Sequence, residues 1–107
     1  MDLVVLALAT LALAAPADAA GAGPNLRTGE QVVQYQCVLC HGTGMAGAPR
    51  IGDRKAWERR ASGDLGKLVR SAVQGRGAMP PNGGLPDLSE EQLREAIDYM
   101  IRSGATR

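Results

Sequence analysis

Cys37-Val38-Leu39-Cys40-His41 is the stretch of sequence whose reading decides the fold. Two thiols separated by two residues, with a histidine directly after the second, form the spacing that attaches a c-type haem. The thiols add across the two vinyl groups of one porphyrin, and the histidine offers a ring nitrogen to its iron. All three groups must reach one cofactor from one helical turn, which is why the spacing is so tight. Three other readings explain less. A thioredoxin-like pair requires a βαβ setting, and no alternating strand pattern surrounds these residues. A zinc site needs about four ligands, whereas the whole chain has two Cys and one His. A disulfide closing so short a loop stabilises little and leaves His41 unexplained.

The composition agrees with a bound cofactor. The chain has 107 residues, enough for one small domain, with 3% aromatics and no Phe against 14 Gly and 6 Pro. A domain of this size buries only about 60–65% of its unfolded surface even when well supplied with large apolar side chains. This one is poorly supplied, so something besides its own side chains completes the core. The same arithmetic argues against a self-sufficient enzyme with a large pocket, a transmembrane bundle and a disulfide scaffold.

Residues 3–15, LVVLALATLALAA, inflate the 45% hydrophobic content. This run is shorter than the ~20 residues that span a bilayer as a helix. Ala17-Asp18-Ala19 supplies small residues where a signal peptidase cuts, so residues 1–19 read as an export signal. Asp2 and the lack of Lys or Arg before the run are unusual for such a signal. A longer leader or an uncleaved membrane anchor is the alternative. Cleavage after Ala19 removes Asp2 and Asp18 from the 11 acidic residues, leaving 9 against 12 basic ones and a net +3. The basic residues are scattered and no aromatics interleave with them, which argues against nucleic acid as a partner. Residues 20–27 read as a flexible lead-in to a single domain at 28–107.

That domain reads as all-α, with about four helices, the two longer ones at its ends. Thr28 with Gln31 fits a capping box that opens a helix running towards Cys40. Residues 42–52 are a glycine-rich loop. Asp53 caps a short helix carrying Trp57, and Asp64 starts another through Leu65, Leu68, Val69, Ala72 and Val73, with Gly75 where it should stop. A second loop spans residues 75–86. Ser89 and Gln92 form the clearest capping box, with Leu88 and Leu93 placed as a hydrophobic staple. Leu93, Ala96, Ile97, Met100 and Ile101 then follow the one-face spacing of an amphipathic helix that Gly104 can end.

His41 is the sole histidine, so a second axial histidine from this chain is excluded. The sixth position falls to Met, Lys, a small molecule or nothing. Met1 leaves with the signal, Met100 lies on the apolar face of the last helix, and Met45 is too close to His41 in sequence to reach the opposite face. Met79 lies in Gly77-Ala78-Met79-Pro80-Pro81, where the following proline enforces an extended backbone; filling a loop gap is its alternative role. The Pro49 carbonyl can accept a hydrogen bond from the other ring nitrogen of His41, a contact that sets the orientation and basicity of such a ligand. An ordinary turn proline is the alternative there.

With these stretches in order, the sequence resembles class I monohaem cytochromes c, and among them the cytochrome c5 branch. The likeness is carried by CHGTGMAGAPRIGD (40–53), Trp57 with Arg60, GAMPPNGG (77–84) and DLSEEQLREAIDYM (87–100), stretches spread over residues 40–100 of the mature chain. It implies a small helical fold around one covalently attached haem c, with the first and last helices packed together. It implies haem attachment at Cys37 and Cys40, axial ligands His41 and Met79, and the His41–Pro49 contact. It also suggests that Trp57 and Arg60 belong to the haem environment, near a propionate; core filling for Trp57 and a solvated charge for Arg60 are the alternatives. One departure stands out. Some members carry a second, disulfide-forming Cys pair before the last helix, where this chain has Leu85 and Leu88.

The expected function is that of a soluble periplasmic electron carrier in a respiratory chain, a monomer or weak dimer that is not itself an enzyme. Its expected partners are redox proteins: a quinol-oxidising complex as donor and a terminal oxidase or reductase as acceptor. Two other functions compete with it. One is a haem subunit tethered to a larger membrane respiratory or dehydrogenase complex. The other is a five-coordinate haem protein that binds gas or peroxide, for which Met79 would have to stay off the iron.

Overall fold

The computed structural model describes residues 25–103, together with the isolated positions Val4 and Ala7. Apart from those two positions, the expected export signal at residues 1–19 lies outside the described residues, as do residues 20–24 of the expected lead-in and Gly104 at the expected helix end. Among the described residues, four helices account for most of the regular structure: α1 (residues 29–41), α2 (Arg54–Ala61), α3 (Leu65–Gln74) and α4 (Glu90–Arg102). Among the described residues there is no extended strand, and one isolated bridge pairs Arg76 with Met79.

The chain writes its helix starts locally. Thr28 Oγ1 accepts from the Gln31 amide at 3.1 Å, while Gln31 Oε1 accepts from the Thr28 amide at 3.1 Å. Ser89 and Gln92 close the same reciprocal box at the head of α4, at 3.1 and 3.0 Å. Asp53 caps α2 by accepting from the Ala56 amide at 3.2 Å. Asp64 does occupy the cap position of α3, but its side chain makes no cap bond. Its carboxylate meets Arg70 at 3.4 Å on the helix surface instead, while the helix still starts where Asp64 was expected to start it. Gly75 ends α3 at φ 82°, and a Cβ there would sit 3.0 Å from both Pro81 N and Cδ.

Packing then brings the ends of the domain together. α1 lies against α4, and α3 packs on the same α4. The approach of α1 is close because Gly29 has no side chain: a Cβ there would meet the Glu95 carbonyl carbon at 2.4 Å and the Ala96 nitrogen at 2.7 Å. The core is assembled from Val32 and Val33 of α1, Trp57 and Ala61 of α2, Leu68, Val69 and Ala72 of α3, and Leu93, Ala96, Ile97 and Met100 of α4. Trp57 is the single aromatic side chain among these buried hydrophobic residues, with Tyr99 packed partly buried against them.

The reading of residues 20–27 as a free lead-in needs correction at its end. Leu26 packs against the core, and its carbonyl accepts from Gln92 Nε2 at 2.8 Å. The side chain that completes the capping box of α4 therefore also holds the chain ahead of α1. The docked domain begins before the Thr28 cap.

Candidate haem site

The Cys37–His41 stretch forms the end of α1, and the helix changes character just before it. Val33–Cys37 is a wide π turn, in which the Val38 amide reaches back to the Val33 carbonyl; an α turn, Val38–His41, follows. A π turn inserts one extra residue and so rotates everything beyond it around the helix axis. Val32 and Val33 can then stay buried in the core while Cys40 emerges at the surface.

Both cysteines are free thiols, Cys37 half-buried and Cys40 exposed. Burial pushes the Cys37 thiol up from 9.0 to about 11, with Cys40 adding to the rise and a backbone hydrogen bond opposing it. Such surroundings penalise a charged sulfur. They suit a thioether, which has no charge to desolvate.

His41 is 8% exposed. Its Nδ1 lies 2.7 Å from the Pro49 carbonyl, and its own carbonyl accepts from the Ile51 amide at 2.8 Å. A carbonyl can only accept, so Nδ1 carries the proton and Nε2 keeps its lone pair. Nε2 has no hydrogen-bond partner among the described residues, yet no buried polar side-chain atom there is left without one. The ring therefore opens outward at the nitrogen suited to binding iron. The loop returns to Pro49 through left-handed turns at Gly44 (φ 82°) and Ala46 (φ 53°). Met45 sits exposed within it.

Trp57 and Arg60 are both brought to this loop. The Trp57 ring stacks on His41 at 5.2 Å between centroids, with 28° between planes, and its Nε1–H donates to the Arg50 carbonyl at 2.9 Å. Arg60 Nη2 donates to the Gly47 carbonyl at 3.0 Å. Trp57 has a single polar hydrogen and so has no donor left for a propionate, and at 4% exposure it also fills the core. Arg60 retains other guanidinium hydrogens.

Met79 sits on a different segment. Arg76 and Met79 exchange backbone hydrogen bonds of 2.9 and 2.8 Å across Gly77-Ala78, so Met79 has the extended conformation expected before Pro80. Its side chain is half-buried against the core, and its methyl carbon lies 3.9 Å from the place a Cβ on Gly83 would take. The segment continues through a 3-10 turn, Pro81–Gly84. Gln36, just before Cys37, donates from Nε2 to the Gly83 carbonyl at 2.9 Å and so joins the cysteine-bearing helix to the methionine loop. Sequence reasoning missed Gln36, because a lone glutamine bonding 47 residues away belongs to no motif.

Comparison with known proteins now decides the family. Residues 24–100 match the family described as "Cytochrome C oxidase, cbb3-type, subunit III". Cytochrome c5 of Ectopseudomonas mendocina is 44% identical over 84 residues, covering 77% of this chain and 97% of that one. This chain belongs to the class I monohaem cytochromes c, in the cytochrome c5-like group. Cytochrome c5 of Azotobacter vinelandii is 42% identical over 80 residues, covering 73% of this chain and 96% of the relative. Among solved structures, a mono-haem ferrocytochrome c from Shewanella putrefaciens superposes with a TM-score of 0.65 at 36% identity, covering 71% of this chain and 94% of that one. The cytochrome in an electron-transfer complex of nitrite reductase with cytochrome c gives 0.65 at 38% identity, with coverage of 71% and 93%.

As a monohaem cytochrome c5-like protein, the chain carries one covalently attached haem c. The residues present fit that group: two free thiols and an outward-facing imidazole nitrogen share one helical turn. Among the described residues no group of three His, Cys, Asp or Glu is placed to hold a metal ion.

Proposed function

We propose that this cytochrome is an exported single-haem electron carrier, with haem joined to Cys37 and Cys40 and iron held between His41 and Met79. When bound, the haem supplies a one-electron ferric/ferrous couple. The observation that carries the reading is the His41 ring, whose Nδ1 is committed to the Pro49 carbonyl at 2.7 Å, leaving Nε2 free for iron. Met79 is the methionine on a pre-proline extended segment, and the Gln36–Gly83 bond ties its loop to the cysteine helix. A thioether ligand raises the reduction potential. With both axial positions filled by the chain, no open site remains for a substrate, so the protein transfers electrons and catalyses nothing alone.

Residues 1–19 act as a removed signal that delivers the chain to the periplasm. Among the described residues no helix is long and apolar enough to cross a membrane. The donor is a quinol-oxidising complex and the acceptor a terminal oxidase or reductase, met through small, short-lived contacts. The structural likeness to a cytochrome c complexed with nitrite reductase supports a reductase as acceptor. A second reading is favoured by the family match, whose description names an oxidase subunit: the chain would then work as part of a larger complex. A mature N-terminus near residue 20 in the soluble periplasmic fraction supports the free carrier, and co-purification with membrane subunits supports the second reading.

The ligation is tested by absorption spectra of the purified protein in both redox states. Low-spin haem with the weak iron–methionine charge-transfer band in the ferric form is expected. High-spin ferric haem without that band would overturn the carrier reading in favour of a five-coordinate gas- or peroxide-binding protein.

A further inference from the structure

The Pro49–Arg50 segment, which supplies the acceptor for His41, is itself held from its far side. The Pro49 carbonyl faces His41 Nδ1, and the next carbonyl, that of Arg50, takes two donors: the Asp53 amide at 3.0 Å and the Trp57 indole at 2.9 Å. Ile51 bonds back to the His41 carbonyl at 2.8 Å, and Gly52 bonds to the Met100 carbonyl at 2.8 Å. Four successive residues are thus pinned to α1, α2 and α4. Proline fixes the backbone angle that leads into the Pro49 carbonyl, and the two donors on the Arg50 carbonyl hold the chain that leads out of it, so the acceptor facing His41 is held from both sides. The start of α2 aims the indole: Asp53 caps the helix, and the Trp57 amide one turn on bonds to the Asp53 carbonyl at 3.1 Å. The same ring then lies stacked on His41, 5.2 Å away.

We infer that Trp57 is a positioning residue for His41. Its indole fixes the carbonyl that accepts from Nδ1, and its face limits rotation of the imidazole. This rests on the reading of His41 as an axial ligand. A partner on the outer nitrogen of a ligating histidine sets the ring's orientation and raises its basicity. A more basic ligand stabilises ferric iron and lowers the reduction potential. Trp57 would therefore tune the redox couple through His41, its one N–H being spent on the Arg50 carbonyl rather than on a haem propionate.

The test is Trp57→Phe in the holoprotein, which keeps a stacking ring and deletes the indole N–H. Hydrogen exchange at His41 Nδ1–H should quicken about fivefold, the factor for loss of one ordinary hydrogen bond. The reduction potential should rise by the same amount at every pH from acid to neutral. Unchanged exchange with an unchanged potential overturns the inference and makes Trp57 core filling. Unchanged exchange with a potential change that follows a carboxylate titration also overturns it, and makes Trp57 a propionate donor. A second measurement needs no variant. The indole N–H of the wild-type holoprotein should exchange slowly, and exchange as fast as an exposed indole would overturn the inference. The two readings fail differently. Haem-induced shifts on the wild-type His41 ring uphold the axial reading whatever the variant does, and their absence removes both.

Discussion

The two segments that present His41 and Met79 are anchored in different ways. Residues 49–52 bond to α1 at His41, to α2 at Trp57 and to α4 at Met100. Residues 76–88 bond mainly to themselves: Arg76 with Met79, Gly83 to Pro80 at 3.0 Å, Leu85 to Asn82 at 3.3 Å, and Leu88 to Leu85 at 3.1 Å. Their side-chain tie to the cysteine helix is the single Gln36–Gly83 bond of 2.9 Å. Each bond is worth only about 1 kcal/mol net, so the difference lies in how many must break together. The histidine side is cross-linked to three helices and should move only when the domain unfolds. The methionine side can shift while the rest stays folded. Leu85 and Leu88 sharpen the contrast, because they stand where some cytochromes of this kind place a disulfide.

Several substitutions probe this asymmetry. Replacing Cys37 and Cys40 together by Ala should have the largest effect, since both sides are built around the same cofactor. The purified chain should carry no haem after denaturation and should lose most of its helical circular dichroism; a helical, haem-free product would show that the protein core suffices. Met79→Ala should affect the methionine side alone, giving high-spin ferric haem that binds added imidazole in an otherwise folded protein. An unchanged spectrum would remove Met79 from the iron.

Gly29→Ala acts on the helix contact that supports both sides. With α4 backbone 2.4 to 2.7 Å from the new Cβ, it should cost about 3 kcal/mol, near the top of the overpacking range. The urea midpoint should fall while the spectrum stays the same, and an unchanged midpoint would mean that the helices do not meet this closely. Gln36→Ala should cost about 1 kcal/mol and act on one side. Imidazole should displace Met79 about fivefold more readily, with His41 unaffected; equal loosening on both sides would break the asymmetry. Arg102→Ala should change least, because its pair with Asp98 at 2.7 Å is largely solvent-exposed and such pairs contribute about 0–1 kcal/mol.

What could be read from the sequence was mostly what is local. The boxes at Thr28–Gln31 and Ser89–Gln92 are complete within four residues, and both formed as their residue types require. Met79 before Pro80 is extended for an equally local reason. Asp64 starts its helix at the expected place, although its carboxylate pairs with Arg70 rather than with a backbone amide. The π turn at Val33–Cys37 was hidden, since Val32, Val33 and Tyr35 fit a helix with or without one inserted residue. The Pro49 contact could be anticipated because histidine ligands need an acceptor and a proline has its carbonyl to offer. The targets of Trp57, Arg60 and Gln36 could not be. Each bonds to a backbone carbonyl, and a carbonyl carries no residue identity in the sequence.

We propose that one haem lies between His41 and Met79, with the methionine on the more loosely held side. The proton NMR spectrum of the reduced protein tests it most directly, because the porphyrin ring current shields groups lying over its face. One methionine methyl resonance should be shifted far upfield of all other methyls, lost in Met79→Ala and retained in Met45→Ala. A spectrum with no such resonance, or one whose resonance survives Met79→Ala, would contradict it.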